Sequence, residues 1–263
     1  YAPTQRWPMS WLYAREGRRL AAWEAQVAQD FDATLLVSDD EAALLQRRVP
    51  QARHKIGAFE NGVDAEYFSP ARDYPNPYPS DVLGVVFTGA MDYWPNVDAV
   101  SWFAGRVFPA IREAVPAARF TIVGSRPTDA VRALARQPGI VVTGSVPDVR
   151  PFLAHAACAV APMRIARGIQ NKVLEAMAMA RPVVVTAQAA EGIRAEAGRD
   201  FLLAQDEAGL VDAVIAQLQA RTPRAAARAC ILAHYDWARN LSMIDTLFDA
   251  APVASSALET CPA

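Results

Sequence analysis

Lys172 and Glu175 stand three residues apart, and at helical spacing an ammonium and a carboxylate so placed share one face. Just before them, the run Pro162-Met163-Arg164-Ile165-Ala166-Arg167-Gly168 brings two guanidinium groups to the same neighbourhood. An apolar strand read over residues 157–161 delivers this run, and a helix read over 169–180 follows it. The first amides of such a helix have no intrahelical acceptor and sit at the positive end of its dipole, so they suit a phosphate. Arg164, Arg167 and Lys172 add full positive charges at that point. Glu175, further along the helix, is then placed to accept hydrogen bonds from two vicinal ribose hydroxyls. Together these residues read as a site for a nucleoside diphosphate. For Arg164 and Arg167 the alternative is a solvated cation at a helix end, and spacing does not separate the two. Glu175 is harder to set aside, because a carboxylate among Ala and Met residues is costly without a partner.

Other chemistries find less support. His54, His155 and His234 are isolated in sequence and read as structural or exposed, so no His-based catalytic group is assembled. Cys158, Cys230 and Cys261 are odd in number and far apart, which suggests neither a disulfide framework nor a zinc site and fits a reducing compartment. No cluster of Asp or Glu has metal-ligand spacing, so neither a metal nor another cofactor is expected. A formal charge of -2 gives no basic surface for nucleic acid. No apolar run reaches the roughly 18–20 residues of a membrane span. The best stretch, 174–186, is interrupted by Glu175, Arg181 and Pro182. The chain opens Tyr1-Ala2-Pro3, without an initiator Met or a signal peptide, which reads as a piece of something longer.

The elements that must position the site follow a rhythm of strand, glycine, helix. Strands are read over 82–88, 120–123, 140–143, 157–161 and 182–186, the first three ending at Gly89, Gly124 and Gly144. Helical spacing follows over 97–115, with Pro109 as a kink, and again near 131–136, after Asp206, and from 224 to 248. This alternation predicts an α/β protein with a doubly wound parallel sheet, whose ligands bind outside the carboxyl ends of the strands. The segments to watch are therefore 89–96, 124–126, 144–147 and 162–172. Trp94 reads as a core or rim residue ahead of a base-stacking one, and there is no GxGxxG fingerprint. Upstream, 11–31 reads as a helix and 33–37 and 55–59 as short strands. Ser38 and Glu41 have capping-box spacing. Pro70, Pro75, Pro77 and Pro79 crowd the stretch before residue 80, a semi-rigid linker composition. The expected organisation is 1–70 as the end of one domain, 71–80 as linker and 81–263 as the ligand-binding domain with C-terminal helices. Residues from Ala251 onward read as a loose tail.

The run Asn171-Lys172-Val173-Leu174-Glu175-Ala176-Met177-Ala178-Met179-Ala180-Arg181-Pro182-Val183-Val184 resembles the donor-site signature of the retaining glycosyltransferase family 4, of GT-B fold. Asn61-Gly62-Val63-Asp64 with Tyr67-Phe68-Ser69-Pro70 resembles the end of that family's N-terminal domain, and Phe31-Asp32 through Val37-Ser38 with Glu41 the strand and helix before it. Gly89-Ala90-Met91-Asp92-Tyr93-Trp94-Pro95-Asn96 with Asp98, Phe120-Thr121-Ile122-Val123-Gly124 and Gly144-Ser145-Val146-Pro147-Asp148 are similar to a branch associated with bacterial exopolysaccharide and exosortase/PEP-CTERM gene neighbourhoods. The resemblance implies a Rossmann-like C-terminal half of GT-B with a partial N-terminal remnant. It implies donor contacts at Gly89, Met91, Gly144, Val146, Arg164, Gly168, Ile169, Asn171, Lys172 and Glu175. The sequence departs from the family pattern at two places: Arg167 stands where a second Glu is usual, and Ala90–Pro95 lacks the usual basic residues.

The expected activity is hexosyl transfer, with retention, from a UDP- or GDP-sugar to a glycan or lipid-linked acceptor in exopolysaccharide synthesis, in the cytoplasm at the inner face of the membrane. The catalytic residues on the acceptor side are unknown and are expected to lie outside the chain, which by itself is expected to bind donor and transfer poorly. The alternatives are a sugar-nucleotide epimerase or hydrolase on the same fold, and a non-catalytic sugar-nucleotide-binding protein. Trp7, Trp11, Leu12, Arg15, Arg18 and Arg19 read first as a helix packed on another domain, and second as a peripheral contact with an anionic membrane.

Overall fold

The computed structural model describes residues 7–166, 168–220 and 222–250, without the side chains of 238, 243 and 246–250. Arg167, Cys261 and the tail from Ala251 lie outside the described residues.

Among the described residues, eight strands form two parallel sheets. β1 (Thr34–Leu36) and β2 (Ile56–Ala58) make a two-stranded sheet. β3 (Leu83–Thr88), β4 (Ala118–Val123), β5 (Ile140–Gly144), β6 (Cys158–Ala161), β7 (Val183–Thr186) and β8 (Leu202–Ala204) make a six-stranded sheet in the order β5-β4-β3-β6-β7-β8. The parallel pairing and this order are those of a doubly wound sheet whose direction of winding reverses between β3 and β6. The burial pattern explains the sequence pattern. β6 and β7 are buried at every residue and β3 at all but its first, so all three read as unbroken apolar runs. The edge strands β5 and β8 are only partly covered. β8 is a strand that periodicity does not reveal, because three residues at a sheet edge carry too little pattern.

The helices are α1 (Met9–Asp30), α2 (Asp39–Arg48), α3 (Trp94–Trp102), α4 (Phe108–Ala114), α5 (Asp129–Leu134), α6 (Arg150–His155), α7 (Asn171–Ala178), α8 (Ala187–Ala190), α9 (Glu207–Ala220), α10 (Ala225–His234) and α11 (Trp237–Ala250). Ser38 caps α2 by accepting from the Glu41 amide at 3.2 Å. The segment expected to kink at Pro109 does so through a π turn over Phe103–Val107, which absorbs the amide that proline cannot supply. The C-terminal helical stretch is broken at Tyr235 and Asp236, where Val63 donates to the Tyr235 carbonyl at 2.7 Å.

The main core runs through the six-stranded sheet and takes in Val63 and Ala65 as well. A second, small core of Ala28, Ala42, Leu45, Val49, Ala52 and Ile56 lies beside β1 and β2. Irregular residues 71–80 are held by the Tyr78 hydroxyl, which donates to the Phe152 carbonyl at 3.0 Å, and by Tyr74, which donates to the Ser69 carbonyl at 3.0 Å. Arg194 joins the two parts by ion pairs to Asp39 of α2 and, at 2.9 Å, to Glu60. Among the described residues, no helix is long and apolar enough to cross a membrane.

Candidate functional site

The loops after β3, β4, β5 and β6 converge at the carboxyl edge of the large sheet, and a cavity of about 560 Å³ opens there. Thr88, Gly89 and Tyr93 line it from β3, Val123, Gly124 and Ser125 from β4, Ser145, Val146 and Val149 from β5, and Ile169, Gln170, Asn171, Lys172 and Glu175 from the β6 side. This is the crevice that the winding reversal between β3 and β6 creates. Its floor depends on an unusually close backbone approach. A Cβ on Gly124 would lie 1.6 Å from the Gly89 carbonyl oxygen, so no side chain fits there. Gly89 itself has φ +156°, and a Cβ on it would meet Asn96 Nδ2 at 2.8 Å.

α7 supplies the charged groups. It begins at Asn171 rather than Ile169, since Gln170 is extended, with ψ 97°, and its carbonyl accepts the first helical bond from Val173 at 2.8 Å. Val173, Leu174, Ala176, Met177 and Ala178 bury one face of this helix in the sheet. Leu174 and Met177 each contribute roughly 1.5–3 kcal/mol through that burial. The helix ends at Met179, before Ala180 turns left-handed at φ +52°. The buried stripe rotates Lys172 and Glu175 together to the cavity wall. The Lys172 ammonium donates to Asn96 Oδ1 at 3.1 Å and to Gln170 Oε1 at 3.3 Å, and lies 5.1 Å from the centre of the Phe87 ring. Burial pushes its pKa down to about 8, with Glu175 acting in the opposite sense. Burial likewise raises the Glu175 carboxyl, which Lys172 partly offsets. The pair is therefore a desolvated ammonium and carboxylate in a cavity that Ser125 and Ser145 also line.

Of the ten residues expected at the donor site, Gly89, Val146, Ile169, Asn171, Lys172 and Glu175 line this cavity. The other four are placed differently. Met91 is fully buried in the core, with its amide and carbonyl spent on Ser125 and Thr128. Gly144 ends β5 in a left-handed turn, and the neighbouring Ser145 faces the cavity in its place. Gly168 faces a separate, smaller cavity with Ser38, Asp40, Glu41 and Glu191. Arg164 is drawn away by Asp98, which accepts from its Nε at 3.0 Å and pairs with the second nitrogen, and the guanidinium lies over the Trp102 ring. Among the described residues Lys172 is thus the cationic group that lines the cavity.

Tyr93, Gly124, Ser125 and Ser145 lie within the strand-end segments 89–96, 124–126 and 144–147, whereas Thr88, Val123 and Val149 line the cavity from outside them. Arg126 approaches the loop after β3 from β4 and pairs with Asp92 at 2.8 Å, which no sequence spacing foretells. Among the described residues no group of His, Cys, Asp or Glu is arranged to hold a metal ion.

The model of a protein family described as Glycosyl transferases group 1 matches residues 83–220, more than half of the chain and all six strands of the cavity-bearing sheet. The chain belongs to the group 1 glycosyl transferases. A search of curated proteins finds no match to this group 1 member. Its fold is shared with a glycosyltransferase from Rickettsia africae, at TM-score 0.68 and 16% identity, over 88% of this chain and 68% of that one. It is shared with Anabaena HepE, solved in complex with UDP and glucose, at TM-score 0.61 and 14% identity, over 86% of this chain and 65% of that one. Sucrose-phosphate synthase from Thermosynechococcus elongatus matches at TM-score 0.66 and 19% identity, over 87% of this chain and 60% of its own. The chain thus spans about two thirds or less of the length of these structures, and at such identities the likeness is one of fold, the Rossmann-like half of GT-B.

Proposed function

We propose that this group 1 glycosyl transferase binds a nucleoside-diphosphate sugar in the cavity between β3 and β6, and that the sugar passes to a glycan or lipid-linked acceptor. One observation carries the reading. Lys172 and Glu175, three residues apart on α7, reach the same cavity wall, an ammonium for the diphosphate and a carboxylate for the ribose hydroxyls. Gly89 and Gly124, packed closely on one another, present bare backbone to the cavity, and Tyr93 offers a ring beside it. In this reading the leaving diphosphate gains negative charge as the glycosidic bond breaks, and the α7 amides with Lys172 meet that charge in a partly desolvated site. The pairing of Arg164 with Asp98 leaves this role to Lys172.

UDP is the first nucleotide to test, since Anabaena HepE carries it, with GDP as the second. Retention of configuration, exopolysaccharide as the product and a place at the inner face of the membrane are finer readings that rest on the motif resemblance. Exposed Trp7, Trp11 and Trp23 on or beside α1 support a covering surface there, a neighbouring domain ahead of a lipid. Isothermal titration with UDP, GDP and their sugars, followed by release of nucleotide with and without a glycan acceptor, tests the proposal. Saturable UDP or GDP binding that is lost in Lys172→Ala is expected. A folded protein that binds neither nucleotide would overturn it. Nucleotide release that ignores acceptor would replace transfer by hydrolysis.

A further inference from the structure

Of the 26 basic residues in the chain, two are lysines, Lys55 and Lys172. Lys55 donates to the Gln29 carbonyl at the end of α1, far in sequence from the cavity. Lys172 is held differently from most of the arginines that make ion pairs here. Arg126, Arg150, Arg164 and Arg194 each meet a carboxylate, whereas the ammonium of Lys172 meets the neutral amide oxygens of Asn96 and Gln170.

Asn96 is buried at the start of α3, and both ends of its amide are committed. Nδ2 donates to the Ala90 carbonyl at 2.9 Å, while Oδ1 accepts from Lys172 at 3.1 Å. A carbonyl takes only a donor and an ammonium offers only donors, so the amide has one orientation. A Cβ on Gly89 would lie 2.8 Å from Nδ2, so the glycine leaves the amide its place.

We propose that Asn96 is the positioning residue of Lys172: a neutral acceptor, clamped to the loop after β3, that aims the ammonium into the cavity without neutralising it. This rests on the donor-site reading for its purpose, though not for its geometry. A carboxylate at the same place would form an ion pair with Lys172 and compete with a phosphate for it. The groups facing the ammonium are Asn96 from α3, Gln170 from the loop before α7, Glu175 from α7 and the Phe87 ring from β3. Of these only Glu175 bears a charge.

With two lysines, protein labelled with ¹³C-lysine yields two Cε signals, and Lys172 can be titrated directly without nucleotide. In the wild type its midpoint is expected near the value of about 8 that burial imposes. Asn96→Asp, nearly isosteric, moves that midpoint up towards the ordinary 10.5, because a carboxylate favours the ammonium. Asn96→Ala moves it down, because it removes a hydrogen bond to the charged form. Both variants lose the bond to the Ala90 carbonyl, so a merely structural role moves them alike. UDP affinity is expected to fall about tenfold more in Asn96→Asp than in Asn96→Ala, by capture of the ammonium and repulsion of the diphosphate. In the wild type, the Asn96 side-chain ¹⁵N signal follows the Lys172 midpoint, a check that needs no variant. Midpoints that stay put or shift in the same direction in both variants would overturn the proposal, as would an Asn96 signal indifferent to pH. Absence of UDP binding by the wild type would sink the donor-site reading instead, and the midpoints would still decide the role of Asn96.

Discussion

β3, β6 and β7 are buried along nearly their whole length, whereas β1 and β2 are three residues each and neither is fully covered. The contrast extends to the helices. α7 turns its apolar side into the sheet, but 22-residue α1 has Ala28 as its buried residue while Trp11, Leu20 and Trp23 are exposed. The large sheet can therefore hold a cavity to within a fraction of an ångström, as the contact of Gly124 with the Gly89 carbonyl requires. The N-terminal region carries apolar surface that its own small core does not use. Site precision and unspent surface lie in different parts of one chain, and ion pairs of Arg194 link them.

The contrast is sharpest at glycine. Gly124→Ala is expected to cost about 3 kcal/mol or more, because the new methyl has nowhere to go against backbone. Thermal unfolding would read it as a large fall in Tm. A variant of wild-type stability would mean that the floor of the cavity is far softer than the burial of its strands implies.

Next in size is the loss of charge. Lys172→Ala should weaken UDP by roughly ten- to a hundredfold, as hydrogen bonds to charged groups are worth ~1.5–3 kcal/mol. Arg164→Ala, whose guanidinium is engaged by Asp98, should stay within about threefold of the wild type. Calorimetry on both variants tests the distinction. Equal losses would show that Arg164 leaves Asp98 for the ligand.

Binding should also depend on pH, in the sense opposite to stability. The folded pKa of Lys172, about 8, lies below its ordinary 10.5, so UDP loses its ammonium partner as pH rises through 8. Affinity about tenfold weaker at pH 9 than at pH 7 is expected, and a flat profile in Lys172→Ala. Without ligand the sign reverses. The buried ammonium costs stability below pH 8, and that cost is relieved between 8 and 10.5. A wild-type affinity that is level across this range would exclude Lys172 as a phosphate partner.

A smaller effect belongs to Glu175. Glu175→Gln keeps the shape and removes the charge, so UDP should weaken by about fivefold while its 2′,3′-dideoxy analogue is nearly unchanged. Equal weakening of both would detach Glu175 from the ribose. The smallest change lies in the other region. Gly17, inside α1 with open space where a Cβ would go, should gain about 0.5–1 kcal/mol on replacement by Ala. UDP affinity should not move at all, and a change in it would couple α1 to the site.

The sequence by itself determined the alternation of strand and helix, the carboxyl edge as the place of the cavity, and Lys172 with Glu175 on one helical face. Each is a local matter of period and spacing, readable where strands are apolar throughout and helices keep a single buried side. Three-residue β8 escaped for the same reason, having no period to show. Which cation lines the cavity is a matter of tertiary structure. Asp98, sixty-six residues before Arg164, claims that guanidinium, and Asn96, seventy-six before Lys172, leaves its ammonium uncancelled. Both partners come from α3, which hydrogen-bonds to side chains of the segment that follows β6. A carboxylate captures a charge and an amide oxygen only directs it, and nothing in the spacing of a chain says which of the two will arrive.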